Sequence, residues 1–94
     1  MNYPDPCPHT GRRRVTVAEW HARPDSLIDA WAYQYNPEAD ALGLECWKLV
    51  EGTDAHVRDG LYDIDFANGT YRTTRGDEPL YINPKDYEAL KCGK

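Results

Sequence analysis

From Leu61 to Ala67 hydrophobic and polar positions alternate with period two, setting Tyr62, Ile64 and Phe66 on one face of a strand and Asp63 and Asp65 on the other. The run is bracketed by Asp59-Gly60 and Asn68-Gly69, dipeptides that supply the positive φ angles of two-residue hairpin turns. Together they predict a three-stranded antiparallel meander. Its expected register opposes His56 to Asp63 and Val57 to Tyr62 across the first turn. Across the second it opposes Asp65 to Arg72, Ile64 to Thr73 and Asp63 to Thr74.

Upstream the pattern changes to short helical stretches. Thr16-Val17-Ala18-Glu19 has the form of a capping box, with Val15 and Trp20 as a hydrophobic staple, so a short helix is expected over about 17–23. Pro24 blocks its continuation. Ser26 and Asp29 restart helical geometry, with Leu27, Ile28, Trp31 and Tyr35 on one stripe. Asn36-Pro37-Glu38 reads as a third helix start, with Ala39, Leu42, Cys46, Leu49 and Val50 on its buried face. The competing reading makes Ala30–Tyr35 and Leu44–Val50 two strands, because both are rich in aromatic and branched residues. Asn83-Pro84 starts a closing helix to about Lys91, and Leu80-Tyr81-Ile82 is a candidate fourth, edge strand. The expected fold is therefore α+β: short N-terminal helices, a three- to four-stranded antiparallel meander and a C-terminal helix. Residues 1–14, with three Pro and three Arg and no apolar periodicity, read as a mobile arm before one domain over 15–94.

Ninety-four residues bury roughly 60–65% of the surface exposed on unfolding, which leaves little room for a deep cofactor pocket. Three Trp and seven Tyr against one Phe make amphipathic rings the main packing material, and some of them must stay half exposed. The net charge of −5 hides a segregation, since Asp29 to Asp65 holds nine acids and two bases. Against it stands the basic run Arg12-Arg13-Arg14. A domain of this sign repels a phosphate backbone, so nucleic acid is a disfavoured partner. Three widely spaced Cys without a Cys-x-x-Cys pair fit reduced thiols and a cytoplasmic setting, and no apolar run approaches the roughly 20 residues that span a bilayer. Asn68-Gly69-Thr70 matches a glycosylation sequon but is better read as turn chemistry.

Three chemical constellations can be weighed. A row of His56, Asp63 and Thr74 has the residue types of nucleophilic catalysis, but the carboxylate rather than the imidazole stands in the middle. Asp63 and Asp65 share a face, yet hard cations need six or more oxygens and Arg72 neutralises one ligand. Cys7, His9, Cys46 and Cys92 have zinc-ligand chemistry without the spacing of a compact zinc motif. No enzyme, metal or cofactor is expected.

The run Val15–Trp31, with its capping box, Ser26-Leu27 and Trp31, resembles the first helices of phage excisionases, small winged-helix DNA-binding proteins. That resemblance covers under a fifth of the chain. It implies that the meander serves as a wing and that the Arg12–Arg14 arm enters a minor groove. Where such a recognition helix needs Arg or Lys, this chain has Asp29, Ala30, Ala32 and Gln34, so membership is not assigned. The reading preferred instead is a small acidic protein-interaction domain, inhibitory or regulatory, that docks on a basic partner surface. Its expected contacts are Glu38, Asp40, Glu45, Glu51 and Asp54, with Trp47 as anchor. By analogy of size and sign alone, such a surface imitates a nucleic-acid backbone as some phage-encoded inhibitors of host defence do.

Overall fold

A computed structural model describes residues 3–43 and 51–92. Its centre is a six-stranded sheet, antiparallel at every junction. In chain order the elements are β1 (Arg13–Thr16), α1 (Val17–His21), a 3₁₀ turn (Asp25–Leu27), β2 (Ala32–Tyr33), α2 (Pro37–Ala41), β3 (Gly52–Arg58), β4 (Leu61–Phe66), β5 (Tyr71–Thr74), β6 (Pro79–Ile82) and α3 (Pro84–Cys92). The spatial order is β1-β6-β2-β3-β4-β5. The expected meander is present as β3-β4-β5, but it is half of a larger sheet. The expectation of a three- to four-stranded meander with N-terminal helices is therefore corrected: β6, expected at an edge, lies between β1 and β2.

Two further expectations change for local reasons. The segment after Pro24 makes one 3₁₀ turn and then β2 instead of a second helix, so Ile28 is 55% exposed rather than part of a buried stripe. The aromatic residues Trp31 and Tyr33 favour extended backbone once β3 and β6 are there to pair with it. Strand β1 begins inside the segment read as a mobile arm. The described part of that segment is packed, with Cys7 only 4% exposed and its backbone N–H bonded to the Arg12 carbonyl.

Residues directly opposite across an antiparallel sheet share a face. Arg13, Ile82 and Ala32 form one row, while Arg14, Tyr81 and Tyr33 form the next on the opposite side. The first side carries the main core, where Val15, Val17, Trp20, Ile64 and Leu80 pack with Tyr87 and Leu90 of α3. The second carries a smaller cluster in which Cys7, Tyr35 and Tyr81 meet Tyr3 and Ala39. Helix α1 opens with the anticipated capping box, Thr16 Oγ1 accepting from the Glu19 N–H and the Glu19 carboxylate from the Thr16 N–H. Asn36 caps α2, accepting from the N–H groups of Glu38 and Ala39.

Both turns form, with different lengths. Asp59 and Gly60 have φ of 54° and 79°, and Arg58 pairs with Leu61, as a two-residue type I′ turn demands. At the second turn Phe66 N–H bonds to the Thr70 carbonyl, so Ala67, Asn68 and Gly69 form a three-residue loop with Gly69 at φ 89°. That extra residue shifts β5 by one. Asp65 opposes Tyr71, Ile64 opposes Arg72 and Asp63 opposes Thr73.

Candidate interaction surface

The shifted register dismantles the anticipated His56, Asp63, Thr74 row. Asp63 accepts from the Arg58 guanidinium at 2.9 Å and from the Thr73 hydroxyl at 2.6 Å, while His56 Nε2 turns to Asp65 at 2.8 Å. Arg58 and Thr73 hold the Asp63 carboxyl below the usual carboxylate range. These are exposed cross-strand pairs, and no imidazole stands between an acid and a hydroxyl. The expected Asp65–Arg72 pair does not form, because Arg72 now lies across from Ile64 on the other face.

The basic run is also built into the fold. The Arg12 guanidinium lies 3.5 Å from the Tyr33 ring centroid and donates to Asn83. That of Arg13 covers Tyr87 at 4.1 Å and pairs with Asp5 at 2.8 Å, and that of Arg14 donates to the Tyr3 carbonyl. Each fastens one part of the chain to another, as stacked guanidiniums do well. A groove of about 540 Å³ beside β1 is lined by Asp5, Arg14, Thr16, Glu19, Tyr87 and Lys91. Its three acids are already engaged: Glu19 by Lys91, Asp5 by Arg13 and the Arg14 N–H, and Asp77 by Arg75. The carboxyls of Glu19 and Asp5 are thereby held below their ordinary values.

The six residues expected to bind a partner divide. Glu45 and Trp47 lie outside the described residues. Asp40 accepts from the Tyr35 hydroxyl and bonds His9 Nε2, which ties α2 to the N-terminal segment and the smaller cluster. Glu38 is exposed on α2, and Glu51 immediately precedes β3. Asp54 is half exposed and lies 3.7 Å from Arg23.

Arg23 is the residue that composition and periodicity did not single out. Its side chain is 3% exposed, with the guanidinium 4.4 Å from the Trp20 ring centroid. It donates to four carbonyls: Trp20 at 3.0 Å, Leu27 at 2.9 Å, Ile28 at 3.1 Å and Thr53 at 3.1 Å. Burial pulls its pKa below the ordinary guanidinium value, opposed by the carboxylates of Asp54 and Asp29. An arginine remains charged through such a shift, so the positive end holds the α1 terminus, the loop after Pro24 and β3 together. The available signal was an Arg just after a helix that Pro24 stops, where end carbonyls need donors.

A fixed loop with two apolar side chains facing solvent results. Trp20 Nε1 donates to the Ala30 carbonyl at 2.7 Å, completing the anchorage. Ile28 and Trp31 remain 55% and 38% exposed. Trp31 immediately precedes Ala32, which pairs with Gly52 at the start of β3, the strand that Glu51 precedes and Asp54 belongs to. Asp25 precedes the apolar pair and Asp29 lies between its two members, while the nearby cation, Arg23, is buried. Apolar anchors on a pre-ordered loop with acids around them have the composition of a docking patch.

The family model described as "Protein of unknown function (DUF2761)" matches residues 3–92. An Escherichia coli protein named Protein KleF is 41% identical over 88 residues, covering 94% of this chain and 84% of its own length. A second Escherichia coli protein of that name is 47% identical over 66 residues, covering 70% of this chain and 37% of its own. No solved structure matches.

Proposed function

The chain belongs to the DUF2761 family, and from that premise and the geometry we propose that it is a non-enzymatic protein-interaction domain docking on a basic partner surface, in a regulatory or inhibitory capacity. Ile28 and Trp31 are the anchors, and Asp29, Glu51 and Asp54 supply the charge. One observation carries the reading: a nearly buried arginine spends four hydrogen bonds fixing a loop that then presents two apolar side chains to solvent. Such ordering before contact lowers the entropy lost on binding, and the acids steer a cationic partner. Among the described residues no helix is long and apolar enough to cross a membrane, and Cys7 is a free thiol, which supports work in the cytoplasm.

The test is affinity capture from host lysate at low and high salt, using the wild type, Ile28→Asp with Trp31→Ala, and Lys85→Ala as a remote control. The expected result is a protein retained at low salt by the wild type and control and lost from the double variant. Equal capture by all three, or retention of duplex DNA in place of a protein, refutes the assignment.

A further inference from the structure

The two edges of the sheet are finished differently. On β1 the outward N–H groups of Arg14 and Thr16 are taken by the carboxylates of Asp5 and Glu19, which blocks further strand pairing. On β5 the Phe66–Thr70 bond fixes the alternation: Thr70, Arg72 and Thr74 turn their backbone groups toward β4, while those of Tyr71 and Thr73 point away from the sheet. Among the described residues nothing pairs with that outer edge, and Tyr71 is 66% exposed.

We propose that β5 is a strand-addition site for an extended segment of another protein that sets an acidic residue opposite Arg72. This surface is separate from the Ile28–Trp31 patch. An antiparallel strand using all four outward groups of Tyr71 and Thr73 places its middle residue across from Arg72, at the close, non-hydrogen-bonded pairing distance. Arg72 is exposed and has no acidic partner among the described residues, and the segment Thr70–Gly76 contains two Arg and no acid. A second copy of this chain is the wrong occupant. The two-fold arrangement that satisfies the same groups sets Arg72 against Arg72, and like charges directly opposite repel. A carboxylate at that position replaces the repulsion with an ion pair.

The experiment is an NMR titration of the ¹⁵N-labelled full chain with two pentapeptides, Thr-Val-Glu-Val-Thr and Thr-Val-Lys-Val-Thr, blocked at both ends. The glutamate peptide is expected to shift the Tyr71 and Thr73 amides and to bind about five- to tenfold more tightly than the lysine peptide. Arg72→Glu reverses that preference. Thr73→Pro, which deletes an outward N–H and the hydroxyl bond to Asp63 but no backbone bond to β4, abolishes both interactions, whereas Thr73→Val, which loses the hydroxyl alone, retains them. The spectrum of Arg72→Glu, a surface change, shows that the fold persists. The proposal is overturned by an unchanged preference in Arg72→Glu, by shifts confined to other residues, by the absence of shifts at millimolar peptide, or by concentration-dependent shifts of β5 amides without peptide, the sign of self-pairing.

Discussion

Replacing Arg23 with Ala removes a charged group that satisfies carbonyls from α1, the loop after Pro24 and β3 at once. Each hydrogen bond to a charged donor contributes roughly 1.5–3 kcal/mol net. The four do not add, because the bond to the Ile28 carbonyl is exposed and that group regains water, whereas those to Trp20, Leu27 and Thr53 are part-buried. With loss of the guanidinium over Trp20 included, a destabilisation of about 3–5 kcal/mol is expected, out of a total stability of roughly 5–15 kcal/mol for such a domain. The melting temperature should fall on the order of 15–30 °C. Arg23→Lys keeps the charge but loses the planar fork, and about half of that loss is expected. Urea denaturation followed by tryptophan fluorescence measures both. A loss under about 1 kcal/mol for Arg23→Ala, the size of an ordinary surface substitution, refutes the view that this arginine organises the loop.

Tyr81 is buried, its hydroxyl donates to the Pro4 carbonyl at 2.6 Å, and burial raises its pKa to about 12 from an ordinary 10. The folded state thus favours the neutral phenol: the stabilisation is complete below pH 10 and is lost as pH rises toward 12, a decline that alkaline unfolding by circular dichroism should show and Tyr81→Phe should flatten. The same variant should lose about 1 kcal/mol at neutral pH, measured by urea denaturation, through the missing hydrogen bond. A Cβ at Gly76 meets Tyr62 Cε1 at 2.8 Å, so Gly76→Ala displaces the ring stacked edge-on with His21 and should cost about 1–3 kcal/mol in thermal unfolding. Glu19, whose carboxyl Lys91 and Thr16 hold below its ordinary 4.5, stabilises the fold above that pH and loses the effect as acid titrates it. Acid unfolding of Glu19→Gln should therefore show a shallower decline below about pH 4.5 than the wild type.

Local chemistry was readable wherever a few adjacent residues decide it. The Thr16–Glu19 capping box and the Asn36 cap require only their own neighbours. The Asp59-Gly60 turn set the β3–β4 register correctly because two positive-φ residues leave one closing geometry. Asn68-Gly69 misled by one position, since Ala67 fits equally well as a last strand residue or a first loop residue, and pairing with β4 decides between them. Two strands depended on partners remote in sequence. β1 looks like a polar arm because Arg13 and Arg14 belong to an edge, where their guanidiniums engage the Tyr87 ring, Asp5 and the Tyr3 carbonyl, partners that local sequence does not announce. β2 has two residues and exists only between β6 and β3. The candidate surface was half visible: Glu51 and Asp54 stood out by charge, whereas Ile28 and Trp31 mimicked a helical stripe until the chain after Pro24 proved to make a single 3₁₀ turn and then β2.

The smaller cluster of Cys7, Tyr35 and Tyr81 lies across the sheet from the main core and shares no side chain with it. Detaching residues 3–12 therefore exposes one thiol and two phenol rings while leaving the packing around Trp20 in place. Such partial opening demands less free energy than melting the molecule. A thiol reagent will reach Cys7 through that door well before the indole signal changes, and the ratio of the two rates measures how independently the two sides of this thin protein live.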